Sequence, residues 1–266
     1  GKLVRQHIGV LMAENLREHH QEMFGQYLIG AHRLMGRAVE SLGRRADGSM
    51  FPMEISVSEL RHGKSRLFTG ILRDISERKE NEDRIKRLAH HDNLTGLPNR
   101  NLLNDRINHA LARVRRHGGR MAVLYVDLDK FKPINDTLGH EAGDAVLREV
   151  AQRLVTCIRG SDTVSRVGGD EFVVVVEEIG RPGEASMVAR KIIDAMARPV
   201  LYMGHACKIG ASIGVAIFPD DGATMEDVCK AADVAMYRVK HAGRNGFCFY
   251  SENTPQDEID YDSSVT

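Results

Sequence analysis

TVSRVGGDEFVVVV, residues 163–176, sets two apolar runs, Thr163–Val167 and Phe172–Val176, on either side of Gly168-Gly169. Two glycines accept the left-handed backbone of a tight reversal, so the run predicts a β-hairpin. Two acids, Asp170 and Glu171, follow the glycines directly. A second apolar run, Met121–Val126, predicts a short strand and leads into Asp127-Leu128-Asp129. The period of two in a strand puts Asp127 and Asp129 on the same side, with the Leu128 carbonyl between them. If the hairpin pairs beside 121–126, Asp170 and Glu171 come near Asp127. Carboxylates gathered at one sheet edge repel one another, and a divalent cation is the natural compensation. Such hard oxygen ligands suit Mg²⁺, which binds one or two carboxylates and completes its shell with phosphate oxygens. Taken singly, the Asp pair reads as solvated loop acids and the glycine turn as only a turn.

Outward from this centre, helical and extended periods alternate. Leu102, Leu103, Ile107, Leu111 and Val114 form a helical stripe ended by Gly118-Gly119, and Ala145, Val146, Val150, Leu154 and Ile158 form another. Helices at 184–197 and 225–241 and strands near 208–218 and 247–250 complete a unit spanning 92–250. Strands alternating with helices, plus one hairpin, predict an α/β domain with a mainly antiparallel sheet flanked by helices.

Residues 77–91 are highly charged and predict a helical connector. Arg78, Asn81, Ile85 and Leu88 fit alternating three- and four-residue steps, which leaves open a parallel two-chain coiled coil or a plain solvated helix. Residues 1–76 read as α then β. A helix is expected over Ala13–Leu28, a turn at Asp47-Gly48, a strand with alternating Phe51, Met53, Ile55 and Val57, and a paired strand Arg66–Asp74 after His62-Gly63. The acidic, polar residues 251–266 are expected to be disordered.

The 266 residues leave room for two domains, and 37 Lys+Arg balance 37 Asp+Glu, so no global charge points to nucleic acid or a membrane surface. No basic patch with interleaved aromatics occurs, and no run approaches the ~20 apolar residues that cross a bilayer. The four cysteines form no metal-like pair. Cys157, Cys207 and Cys229 sit among apolar residues and read as small core hydrophobes, which suits a reducing cytoplasm. Gly1 leads straight into folded-looking sequence, as in a piece of a longer chain.

GGDEF at 168–172 resembles the signature of the diguanylate cyclase family. DNLTGLPNR at 92–100, DLDKFKPINDTLGHEAGD at 127–144, ASIGVAIFP at 211–219 and ADVAMYRVKHAGRN at 232–245 match the same family in order. The resemblance implies a fold like the palm of nucleotide cyclases and polymerases. It also implies an enzyme that condenses two GTP molecules into cyclic di-GMP and two pyrophosphates. Mg²⁺ (or Mn²⁺) would be held by Asp127, the Leu128 carbonyl, Asp170 and Glu171, with Asp170 also taking the proton of the attacking 3′-hydroxyl. Asn135 and Asp144 would read the guanine edge, Lys132, Lys240 and Arg244 would contact the triphosphate, Phe131 would support the loop, and Gly168 and Gly169 would let the nucleotide approach the main chain. Because each domain holds one GTP, the resemblance implies a homodimer.

Arg159-Gly160-Ser161-Asp162 resembles the family's inhibitory product site, with Lys191 where a supporting arginine often stands. Read without the family, it is a surface ion pair at a helix end. Residues 45–79 resemble the second half of a PAS sensor domain, whose first strands would lie before Gly1. Haem is not expected there, because Arg33 rather than His32 occupies the usual ligand position. The competing reading is a catalytically silent module that binds GTP or cyclic di-GMP. No EAL-type motif, the mark of cyclic di-GMP degradation, follows in 251–266.

Overall fold

A computed structural model describes residues 8–11, 37–62 and 65–251. The chain divides into two compact units, residues 1–86 and 87–266.

In the first unit, β1 (Val39–Arg44), β2 (Met50–His62) and β3 (Ser65–Asp74) form an antiparallel meander in that order. The expected Asp47-Gly48 turn joins β1 to β2. Asp47 Oδ1 accepts the Ser49 N–H at 2.9 Å and the Ser49 hydroxyl at 2.6 Å, and Gly48 adopts φ 89°. Strand β1 was not foreseen. Its large apolar side chains, Val39 and Leu42, are both exposed, so it lacks the alternation that marks a half-buried strand. At the end of β3, Asp74 Oδ1 accepts the Ser76 hydroxyl at 2.6 Å and the Ser76 N–H at 2.9 Å. These bonds, with the Arg45 guanidinium beside the carboxyl, draw the Asp74 pKa down to about 2. They open helix α1 (Ser76–His90), which buries no side chain and leaves Ile85 and Leu88 exposed. The expected helix over 13–28, together with His32 and Arg33, lies outside the described residues, as does the tail beyond Ser251.

The second unit runs α2 (Arg100–His117), β4 (Arg120–Asp129), α3 (Phe131–Leu138), α4 (His140–Cys157), β5 (Thr163–Gly168), β6 (Glu171–Ile179), α5 (Gly183–Met196), β7 (Val200–Tyr202), β8 (His205–Cys207), β9 (Gly210–Phe218), α6 (Met225–His241) and β10 (Gly246–Phe249). Its five-stranded sheet has the order β10-β9-β4-β6-β5, antiparallel except for the parallel β10–β9 edge pair. Helices cover both faces, which is why AVLYV and FVVVV read as unbroken apolar runs rather than alternating ones. Leu124, Val126, Leu128, Val174 and Ile213 pack with α4 and α5, while Val123, Val173, Val175 and Ala216 pack with α2 and α6.

Local caps fix the helix starts. The Asn99 side chain accepts the N–H groups of Asn101 and Leu102, and Thr224 and Asp227 form a reciprocal capping box. Three elements of this unit were not anticipated. Helix α3 is only eight residues long, with Pro133 tolerated in its first turn, and the three-residue strands β7 and β8 are too short to carry a periodic signal. All four cysteines are free; Cys207 is buried, and Cys157 and Cys229 pack against the two cores. Among the described residues no helix is long and apolar enough to cross a membrane.

Candidate active site

Strand β4 extends three residues beyond its apolar run, so Asp127 and Asp129 lie inside the sheet rather than in the loop after it. Asp127 pairs in register with Glu171 of β6 on one side and Ser212 of β9 on the other. The hairpin is a two-residue turn, Gly169-Asp170, closed by the Gly168–Glu171 pair; Gly169 takes φ 46°, a conformation that glycine adopts without steric cost. The Leu128 N–H donates to the Asp170 carbonyl at 3.2 Å, which ties the turn to the end of β4. The expected meeting of Asp127 with the two turn acids is therefore present.

Burial raises the Asp127 pKa, and the charges of Asp170 and Glu171 raise it further, against the Lys240 ammonium 2.6 Å from its Oδ2. Glu171 accepts the Tyr125 hydroxyl at 3.2 Å; burial and that neighbouring charge push the Tyr125 phenol up to about 12. Among the described residues no three His, Cys, Asp or Glu side chains are grouped to hold a metal by themselves. The donor set fits Mg²⁺ in another way. Desolvated, mutually repelling carboxylates supply part of a hard-oxygen shell, and substrate phosphates would supply the rest.

Helices α3 and α4 build a second patch. Phe131 is buried at the head of α3, and Asn135 sits one turn later. Asn135 rests on Gly143 in α4, where an added Cβ would lie 2.0 Å from Asn135 Oδ1 and 3.2 Å from Phe131 Cζ. The absence of a side chain at Gly143 thus makes room for the Asn135 amide, and Asp144 is the next residue along α4. Asp144 is half-buried, with Arg148 Nη2 3.9 Å from its carboxylate. Lys132 is exposed on α3. Sequence reasoning passed over Gly143, although its position directly before Asp144 was the available signal. Gly143→Ala should destabilise the second unit by about 1–3 kcal/mol, because the added Cβ must displace the Asn135 amide. A thermal melt that superimposes on the parent's would show that Asn135 does not depend on this contact.

Lys240 lies in the last turn of α6, and Arg244 follows in the loop to β10 at φ 65°. The Arg244 Nε lies 3.9 Å from Asp129 Oδ1. Another link missed by sequence reasoning joins the glycine turn to residues 92–100. Arg166 donates to the Gly169 carbonyl from Nε at 3.0 Å and from Nη2 at 2.7 Å, and its Nη1 meets both Asp92 carboxylate oxygens at 3.0 and 3.1 Å.

Arg159, Asp162 and Lys191 line one pocket, away from the acids, together with Cys157 and Glu184. Asp162 accepts the Arg159 N–H at 3.0 Å and the Glu177 N–H at 3.2 Å, so its carboxylate fastens the turn to β6. The Arg159 side chain is largely exposed, 4.0 Å from Glu184.

Residues 89–246 match the family model described as "Diguanylate cyclase, GGDEF domain". The bifunctional diguanylate cyclase/cyclic di-GMP phosphodiesterase MucR of Pseudomonas aeruginosa is 46% identical over 166 residues, 62% of this chain and 24% of MucR. Diguanylate cyclase TpbB of the same organism is 39% identical over 181 residues, 66% of this chain and 42% of TpbB. The chain thus spans less than half the length of either relative. Among solved structures, the GGDEF domain of DgcB from Caulobacter crescentus in complex with c-di-GMP superposes with a TM-score of 0.57 at 28% identity, covering 61% of this chain and 94% of that one.

Proposed function

This chain belongs to the GGDEF family of diguanylate cyclases, and from that membership we propose that it condenses two GTP molecules into cyclic di-GMP and two pyrophosphates. The observation that carries the reading is the pairing of Asp127 with Glu171 at the mouth of the Gly169-Asp170 turn, with Lys240 2.6 Å from Asp127. Acids and a cation converge there on a sheet end that glycines leave open.

In this reading the 3′-oxygen of one GTP bonds to the α-phosphorus of the other. The bond from that phosphorus to the α–β bridging oxygen breaks, and pyrophosphate leaves. Asp170 takes the hydroxyl proton. Asn135 and Asp144 hold the guanine edge through amide and carboxylate hydrogen bonds. Lys132, Lys240 and Arg244 carry the triphosphate, with Lys132 offsetting charge that develops in the transition state. Mg²⁺ (or Mn²⁺), held by Asp127, the Leu128 carbonyl, Asp170 and Glu171, would acidify the attacking hydroxyl and neutralise phosphate charge. One domain holds one GTP, so two copies face each other to close the ring. Residues 1–76 act as a PAS-type input, coupled through the solvated helix α1.

The test is incubation of the chain with GTP and Mg²⁺, with products resolved by chromatography. Cyclic di-GMP and pyrophosphate, both lost on chelating the cation, are the expected result. Nucleotide binding without product at high protein concentration would instead mark a silent GTP or cyclic di-GMP receptor.

The pocket of Arg159, Asp162 and Lys191 is the proposed seat of product inhibition. An outward guanidinium can form paired hydrogen bonds to a phosphate or a guanine edge. Arg159→Ala should raise the cyclic di-GMP concentration for half-inhibition by at least about tenfold, the loss expected for a charged hydrogen bond. Inhibition curves that superimpose on the parent's would dispose of this site.

A further inference from the structure

Asp129 shares a strand side with Asp127, yet its surroundings differ. It is 5% exposed, and each carboxylate oxygen is already engaged by the protein. Oδ1 accepts the Ser212 hydroxyl at 2.8 Å, and Oδ2 accepts the Asn245 N–H at 2.9 Å. The first partner belongs to β9 and the second to the loop between α6 and β10. Gly210, the register partner of Asp129, leaves the space for this meeting, since a Cβ there would lie 3.0 Å from Asn245 Oδ1 and 3.1 Å from Asp129 Oδ2.

The loop so held is costly in itself. Gly243, Arg244 and Asn245 take φ values of 120°, 65° and 50°; glycine and asparagine accept this region, and Arg244 carries a side chain that disfavours it. Two hydrogen bonds offset that cost. The Arg244 N–H returns to the Val239 carbonyl at 3.0 Å, and the Asn245 N–H reaches Asp129. The first ties the loop to its own helix. Only the second ties it to the sheet end where Asp127 stands.

We propose that Asp129 is a positioning residue for nucleotide binding: it pins residues 243–245 to β4 and β9 and so aims the Arg244 guanidinium at the triphosphate. Burial and these two hydrogen bonds turn its carboxylate toward the protein, and its Oδ1 lies 3.9 Å from the Arg244 Nε, so it acts through Arg244. The inference rests on the reading of Arg244 as a triphosphate contact, and the experiment separates the two.

Dissociation constants for GTP and GMP are measured by calorimetry for the parent, Asp129→Ala, Asp129→Asn, Arg244→Ala and the Asp129→Ala/Arg244→Ala double variant. Asp129→Ala should weaken GTP about tenfold and leave GMP within about twofold, because GMP lacks the phosphates that Arg244 would reach. In the Arg244→Ala background the same substitution should add little, since residues that act through one another are non-additive. Asp129→Asn should restore GTP binding, its oxygen accepting from Asn245 and its amide donating to Ser212. Should Asp129→Ala fail to fold, Ser212→Ala removes one of the two anchors and should give a smaller loss, about threefold, again confined to GTP. Equal loss of GTP and GMP, additivity in the double variant, or no rescue by Asn would overturn the positioning role. A GTP affinity unmoved by Arg244→Ala alone would sink the triphosphate reading and this inference with it.

Discussion

Asp127→Asn should lower cyclic di-GMP synthesis by about a thousandfold or more, while the melting temperature stays within about 3 °C of the parent. The catalytic half follows from position. Asp127 is held between Glu171 and Ser212 in the sheet and lies 2.6 Å from Lys240, so its charge is the fixed centre of the acidic cluster. Removing one member of a pre-organised charge site costs about 10²–10³ in turnover, and more when a metal ligand is lost with it. The stability half follows from burial. Desolvation and two neighbouring acids already disfavour the charged form, so an isosteric neutral side chain gives up little. Lys240, whose side chain is 27% exposed, can turn to water when the pair is broken. Single-turnover product formation and a thermal melt would check the two halves together. Turnover within tenfold of the parent would remove Asp127 from the metal-binding role.

Gly214→Ala should destabilise the second unit by at least about 3 kcal/mol, a fall in melting temperature of roughly 6–12 °C. An added Cβ would lie 1.9 Å from the Ala232 carbonyl oxygen and 2.1 Å from the Met236 nitrogen. Both are backbone atoms in the middle of α6, so no side-chain rotation relieves the clash and the helix itself must move. The neighbours of Gly214 in the sheet, Tyr125 and Cys248, hold the strand from either side. Because α6 carries Lys240 and leads into Arg244, affinity for GTP should fall as well. Gly183→Ala, where an added Cβ meets nothing within 4 Å, is the control and should shift stability by no more than about 0.5 kcal/mol. A Gly214→Ala protein melting with its parent would show that α6 packs less closely on β9 than this geometry requires.

The elements with strong local period were legible in advance. Met225–His241 coincides with the expected helix, and β5 and β6 flank the glycine turn as their sequence requires. The acids at 127, 170 and 171 meet as expected because Glu171 directly precedes the apolar run Phe172–Val176, and pairing that run with Ala122–Val126 of β4 sets Glu171 opposite Asp127. Less legible were Gly143 and Gly214, whose importance comes from another element closing on them. Arg166 was hidden for a similar reason. Its partner Asp92 stands 74 positions earlier and reads locally as part of a loop.

Asp127 and Asp129 show where the division falls. Sequence determined that both lie on one side of the chain, because side chains alternate along an extended backbone whatever surrounds them. It could not say which acid's carboxylate would accept hydrogen bonds from a distant strand and loop of the protein. That depended on Ser212, 83 positions away, and Asn245, 116 positions away, arriving at one of them and not the other. A strand's period fixes the direction of a side chain locally, whereas its hydrogen-bond partners are fixed only when distant strands and loops close around it.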